Sequence, residues 1–213
     1  QDARLHIRPP NNVTSVNVAG VYLDSKDSLI KNTPAEWVAT VDVYSIDADQ
    51  FIRTKNEQRW DVVIIDFPDP SSVELSKLYS QQFYRQLRSH LSSNAFVSIQ
   101  STSPYHAKES FLAIGQTLKS AGFNILPYRQ NIPSFGDWGF HLAWTSGETE
   151  QTIKNTLKKV SNFSVKTDYV TPELMQASLA FGKGELTAKT NCVNTIMFPC
   201  LLTNYTNDGW QVD

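Results

Sequence analysis

The chain lacks most of what would let a membrane, a metal or a nucleic acid hold it. No apolar run among its 213 residues approaches the roughly 20 residues of a spanning helix, and no charged-then-apolar leader opens it. Cysteine is scarce. Cys192 and Cys200 are the only two, and neither belongs to a CxxC pair. That argues against a structural zinc or a disulfide framework and leaves two reduced thiols in a cytoplasmic chain as the expectation. His6, His90, His106 and His141 show no metal-ligand spacing, so no metal is expected. Lys and Arg total 19 against 21 Asp and Glu, a net charge of -2. The densest basic stretch, Lys154 to Lys159, reads as a solvated helix face, so no nucleic-acid partner is expected. No Ser or Cys lies on a G-x-S-x-G-like turn, which leaves no nucleophilic triad. The nine glycines are scattered, and none builds the glycine-rich turn that lets a backbone approach a nucleotide.

What is present is the material of a core. Hydrophobic residues make up 40% of the chain, with five Trp, which excludes disorder. The length suits one α/β domain with a modest extension. Residues 15–23, SVNVAGVYL, read as a strand ending at Asp24, and 41–46, VDVYSI, as a second running into Asp47-Ala-Asp49. A third strand over 61–66 precedes a helix from Val73 to Leu91, whose Leu75, Tyr79, Phe83 and Leu87 share one face at i+4 spacing and read as sheet-facing core. A strand at 95–100, a helix over 107–120 and strands at 123–128 and 139–145 follow. The last two flank the loop NIPSFGDW and are expected to close the sheet as an antiparallel pair. This order predicts a twisted, mostly parallel Rossmann-like sheet with helices on both faces. Residues 1–147 form that core. Residues 148–213 read as a C-terminal extension packed on it, with a helix over 148–160, another opening at Thr171-Pro172, and an irregular tail from Gly182.

One stretch concentrates the chemistry. In DVVIIDFPDP, Asp61 to Pro70, a short β-branched run buried on both faces delivers Asp66 and Asp69 onto a turn stiffened by Pro68 and Pro70. Ligands of open α/β sheets bind at the carboxyl ends of the strands. Two acids there suit a cationic amine; the alternative is that one of them only caps the next helix. Asp24 and Asp49 follow strands at the places where such folds hold ribose and adenine, although an Asp after a strand is also ordinary turn chemistry.

DVVIIDFPDP, LYSQQFYRQL, AFVSIQSTSPY, IPSFGDWGFHLAW and YVTPELMQASLAF together resemble the spermidine synthase (polyamine aminopropyltransferase) family, closest to bacterial members with a membrane-embedded N-terminal region. The resemblance implies a methyltransferase-type fold that uses S-adenosylmethionine chemistry without a metal. Decarboxylated S-adenosylmethionine is then a co-substrate, not a resident cofactor, and a polyamine such as putrescine is the partner. It implies Asp66 as the base that takes the amine proton and Asp69 as the acid that holds the amine. Gln100, Tyr105 and Phe135 line the substrate pocket in that reading, and are a turn amide and packing aromatics in the other. Asp49 with Gln50 matches the adenine-contacting position, and Asp24 stands beside the ribose position.

The departures are on the donor side. The family's glycine-rich loop and its strand are absent from these residues, and Tyr22 stands where the family has the ribose-binding acid; a phenol cannot accept two charge-assisted hydrogen bonds. The expectation is a spermidine synthase-like chain that is inactive alone. Two alternatives stay open: a non-catalytic polyamine-binding or interaction module, and an S-adenosylmethionine-dependent methyltransferase. The family's habit of assembly leaves a homo-oligomer open.

Overall fold

The computed structural model describes residues 15–19, 40–44, 46–54, 59–189 and 191–208, divided between two compact units, Gln1–Asn56 and Glu57–Asp213. In the first, β1 (Ser15–Ala19) and β2 (Thr40–Tyr44) pair in parallel, Ser15 opposite Thr40. A short helix α1 (Ala48–Thr54) follows. Asp47 starts it: its Oδ1 accepts from the backbone N–H of Asp49 and Gln50 at 3.0 and 3.2 Å, satisfying donors that a helix N-terminus leaves unpaired. The remainder of the predicted first strand, with Tyr22 and Asp24, lies outside the described residues.

The second unit carries a mixed four-stranded sheet of β3 (Trp60–Ile65), β4 (Leu91–Gln100), β5 (Asn124–Ile132) and β6 (Gly136–Trp144). The spatial order is β3-β4-β6-β5, with β3 and β4 parallel and the β4-β6-β5 side antiparallel. The predicted closing pair is therefore a hairpin. Its turn is tighter than the sequence implied, because much of NIPSFGDW is strand and only residues 133–135 turn. Gly136 takes φ +75°, the left-handed position that ends a three-residue hairpin loop.

Helices cover both faces of this sheet. On one, α4 (Lys108–Ser120) packs so closely that a Cβ at Gly115 would lie 2.7 Å from the His141 ring and 3.0 Å from Ile125. On the other, α5 (Glu150–Lys158) places Ile153 against Leu126 and Trp144. Helix α5 reaches only the β5–β6 end. Val62 and Ile64 on edge strand β3 consequently stand 69% and 77% exposed, which corrects the expectation of a strand buried on both faces.

Further corrections concern helices. The stripe from Val73 to Leu91 is two short helices, α2 (Val73–Lys77) and α3 (Gln81–Arg88). Ser72 caps the first by accepting from Leu75 N at 3.2 Å, and Ser80 restarts the chain by accepting from Phe83 N at 3.2 Å. Both helices face one core, so the apolar period runs across the break unseen. After α6 (Pro172–Ala177), capped by Thr171 as expected, the supposedly irregular tail forms α7 (Cys200–Asn207). Its Thr and Asn content is poor in helix propensity; packing sustains it through the fully buried Leu201.

The expectation of free thiols is overturned. Cys192 and Cys200 form a disulfide with Cα atoms 6.0 Å apart, closing the loop that leads into α7. The pair has no CxxC signature because the fold, not the spacing, brings the two together. With it goes the ground for a cytoplasmic placement. Among the described residues, no helix is long and apolar enough to cross a membrane.

Candidate functional site

Strand β3 ends at Ile65, and the next four residues carry both acids past the sheet's carboxyl edge. Phe67 turns inward between them, its ring edge-on to Tyr79 at 6.1 Å and to Phe83 at 5.6 Å. This apolar anchor sets the turn, and helix capping is not the acids' role, since Ser72 performs it. Asp66 is exposed, and no hydrogen bond or ion pair engages its side chain among the described residues.

Asp69 is built in. Its Oδ1 accepts from Gln100 Nε2 at 2.8 Å, and its Oδ2 from the Tyr205 hydroxyl at 2.9 Å and, more weakly, from Thr102 Oγ1 at 3.4 Å. Gln100 closes strand β4 and is buried. Its amide is oriented by the Tyr79 hydroxyl, which donates to Oε1 at 2.8 Å; with Oε1 so engaged, the NH2 must face Asp69. Tyr79 is fully buried. Burial first, then the neighbouring Tyr84, Asp69 and Asp66, holds its phenol far above the usual range, so it acts as a fixed donor and not as an acid. The phenol of Tyr205 is raised as well, by burial and then by the Asp69 charge.

The loop after β4 is held for this purpose. Thr102 takes φ +61°, a conformation that costs a β-branched residue on the order of 1–3 kcal/mol and persists only where surroundings over-determine it. Here β6 does so: Gly139 N donates to Thr102 O at 2.7 Å and Ser101 N to Gly139 O at 2.9 Å. A side chain at Gly139 would meet the Phe111 ring at 2.6 Å.

The structure therefore brings Asp69 and Gln100 together and places Asp66 on the same turn. Tyr105 and Phe135 instead stand 74% and 57% exposed, Tyr105 edge-on to His106 at 4.9 Å and Phe135 beside Trp138 at 5.2 Å. No hydrogen bond, ion pair or ring contact joins them to the Asp69 network among the described residues. Asp49 and Gln50 belong to the other unit, and the Asp49 carboxylate is occupied by Arg53 at 2.9 and 3.3 Å. Asp24 lies outside the described residues. Three participants were missed. Tyr79 passed as one more member of an apolar stripe, Thr102 gave no sign of its backbone strain, and Tyr205 stands 136 residues beyond its partner.

His141 is a structural histidine. Its ring stacks on Phe111 at 4.5 Å. Ser101 Oγ donates to Ile99 O at 2.9 Å, so His141 Nδ1, 2.9 Å away, is the donor to that hydroxyl. Burial, with a smaller push from Lys119, lowers its pKa to about 3. Among the described residues no cluster of His, Cys, Asp and Glu has the form of a metal site.

Comparison with known proteins agrees with this architecture. Residues 35–159 match the family model described as the spermine/spermidine synthase domain. The chain is 34% identical over 153 residues to a polyamine aminopropyltransferase of Shewanella oneidensis, covering 72% of this chain and 26% of that protein. It is 48% identical over 103 residues to polyamine aminopropyltransferase 2 of Ralstonia nicotianae, covering 48% and 20%. The chain thus spans about a quarter or less of the length of these curated relatives. Among solved structures, spermidine synthase from Thermotoga maritima superposes with a TM-score of 0.61 at 18% identity, covering 83% of this chain and 62% of that one. A spermidine synthase in complex with the transition state analogue AdoDATO gives 0.63 at 16% identity, with the same coverage. These superpositions establish the Rossmann-like α/β fold, and the family match over more than half of the sequence establishes descent: the chain belongs to the spermine/spermidine synthase domain family.

Proposed function

We propose that this chain carries the amine half of an aminopropyl-transfer site and binds a polyamine such as putrescine without turning it over alone. The observation that carries this reading is the pairing of an unoccupied, exposed Asp66 with an Asp69 fixed by Gln100 and Tyr205. A diamine is doubly cationic near neutral pH, and a protonated nitrogen is no nucleophile. A built-in carboxylate to hold it and a free one to accept its proton are what the reaction requires. In the transfer itself, the amine nitrogen forms a bond to the methylene carbon attached to sulfur in decarboxylated S-adenosylmethionine. The carbon–sulfur bond breaks, methylthioadenosine leaves, and Asp66 takes the proton. The sulfonium is already an activated leaving group, so the protein's task is orientation and electrostatics.

The donor side supports binding without turnover. Tyr22 stands where the resemblance expects the ribose-binding acid, and the Asp49 carboxylate is tied to Arg53. Asp24 remains the proposed ribose contact and Gln50 a further donor-side residue; Tyr105 and Phe135, which make no hydrogen bond or ring contact with the Asp69 network among the described residues, carry the family's pocket role as a proposal alone. Incubation of the chain with putrescine and decarboxylated S-adenosylmethionine is expected to yield no spermidine by mass spectrometry. Turnover that disappears in Asp66→Asn would overturn that expectation and make the chain an enzyme in its own right.

A further inference from the structure

The donor that reaches Asp69 from farthest away is Tyr205, and the chain secures it at both ends. Ahead of α7, the Cys192–Cys200 disulfide closes the approach, and the buried Asn194 inside that loop is bonded to three other elements. Asn194 N donates to Thr117 Oγ1 at 2.9 Å on α4, its Nδ2 donates to Ser76 O at 2.8 Å on α2, and its carbonyl accepts from Gln81 N at 2.8 Å on α3. Asn194 Oδ1 also accepts from Leu201 N at 3.3 Å within the helix itself. Behind α7, Asp208 Oδ2 accepts from the backbone N–H and hydroxyl of Ser110 at 3.0 and 2.8 Å. A helix of poor intrinsic propensity, pinned at both ends, presents one phenol to one carboxylate.

We infer that Tyr205 is a positioning residue for polyamine binding, supplied by the C-terminal segment to fix the plane of the Asp69 carboxylate. This inference rests on the amine-binding reading above, in which Tyr205 figures only as a donor to Asp69, and adds what that donor does for binding. A carboxylate offers about four acceptor directions. Gln100 takes one on Oδ1 and Tyr205 one on Oδ2, which stops rotation while leaving a direction on Oδ1 for an ammonium; the second on Oδ2 faces only the weak Thr102 contact. Thr102, at 3.4 Å, is too distant to hold Oδ2 by itself. Without the phenol, Asp69 keeps its charge but loses its set orientation, and binding must then order it.

The test is an NMR chemical-shift titration of putrescine into wild type, Tyr205→Phe, Asp69→Asn and the double variant, a method that reads millimolar affinities. Phe preserves ring packing, and unchanged amide spectra away from the site establish that the variant is folded. Tyr205→Phe is expected to weaken putrescine roughly tenfold, the loss of one hydrogen bond to a charged group. The double variant is expected to bind no more weakly than Asp69→Asn alone, because the phenol acts only through that carboxylate. Wild-type affinity in Tyr205→Phe overturns the inference, as does tighter binding, which would make Tyr205 a competitor for the amine. Losses that simply add in the double variant also overturn it, since they reveal an effect through the fold. Failure of wild type to bind putrescine at all overturns the amine reading itself, and this inference with it.

Discussion

At the scale of single residues, the same side chain types divide cleanly by what surrounds them. Asp66 and Asp69 are three positions apart, yet one is exposed and, among the described residues, unengaged, while the other accepts from three donors. The pair was legible in the sequence because a β-branched run followed by two prolines forces a strand end. The division between them was not, since the donors to Asp69 come from the end of β4 and from α7. His141 illustrates burial acting alone. Its folded pKa of about 3 lies below the ordinary 6.5, so in the interval between them the unfolded chain holds a proton that the folded chain refuses. Its contribution to stability is complete above pH 6.5 and is lost as pH falls toward 3, with a slope of up to about 1.4 kcal/mol per pH unit. His141→Gln retains a donor toward Ser101 but cannot titrate. Denaturant unfolding at pH 4, 5, 6 and 7 is expected to show a shallower pH dependence for the variant; parallel curves would contradict the assignment.

At the scale of elements, serine hydroxyls and one asparagine do what apolar periodicity cannot reveal. The i+4 stripe correctly identified a face on which Tyr79, Phe83 and Leu87 are buried and Leu75 half-buried, but the cap at Ser80 cut the helix in two. Strands β4 and β6 formed where expected, each beginning earlier than the sequence marks, and β5, the hairpin partner of β6, extends to Ile132 because the turn at Gly136 is short. Helix α7 was hidden, since Leu-Leu-Thr-Asn-Tyr-Thr-Asn carries no helical signal strong enough to outweigh its propensity. Its attachment through Asn194 is the interaction to break. Asn194→Ala removes hydrogen bonds to Ser76 and Leu201 and leaves the buried hydroxyl of Ser76 without its acceptor. The cost is expected to be about 2–3 kcal/mol of stability. Hydrogen exchange should quicken selectively in residues 200–207, and an unaltered exchange pattern would mean that α7 is held elsewhere.

At the scale of the whole molecule, the family signal extends over more than half of the chain, residues 35–159 matching its model. The strand-and-helix order and the motifs from DFPDP to PSFGDWGF carried the family, because short, β-branched runs and proline-ended turns encode a sheet locally. The disulfide and the full set of donors to Asp69 were not legible: the two cysteines, eight residues apart, carry no recognised spacing, and Tyr205 lies 136 residues from Asp69. The second unit holds Asp69 with its donors set at the carboxyl edge of its sheet, and the proposal is that this carboxylate receives the amine. The central claim is that Asp69 recognises a cationic amine. Isothermal calorimetry of putrescine with wild type and Asp69→Asn at low salt tests it most directly. Saturable binding by wild type that weakens at least roughly tenfold in Asp69→Asn is the predicted result; equal affinity in the two proteins, or no binding by wild type, would contradict it.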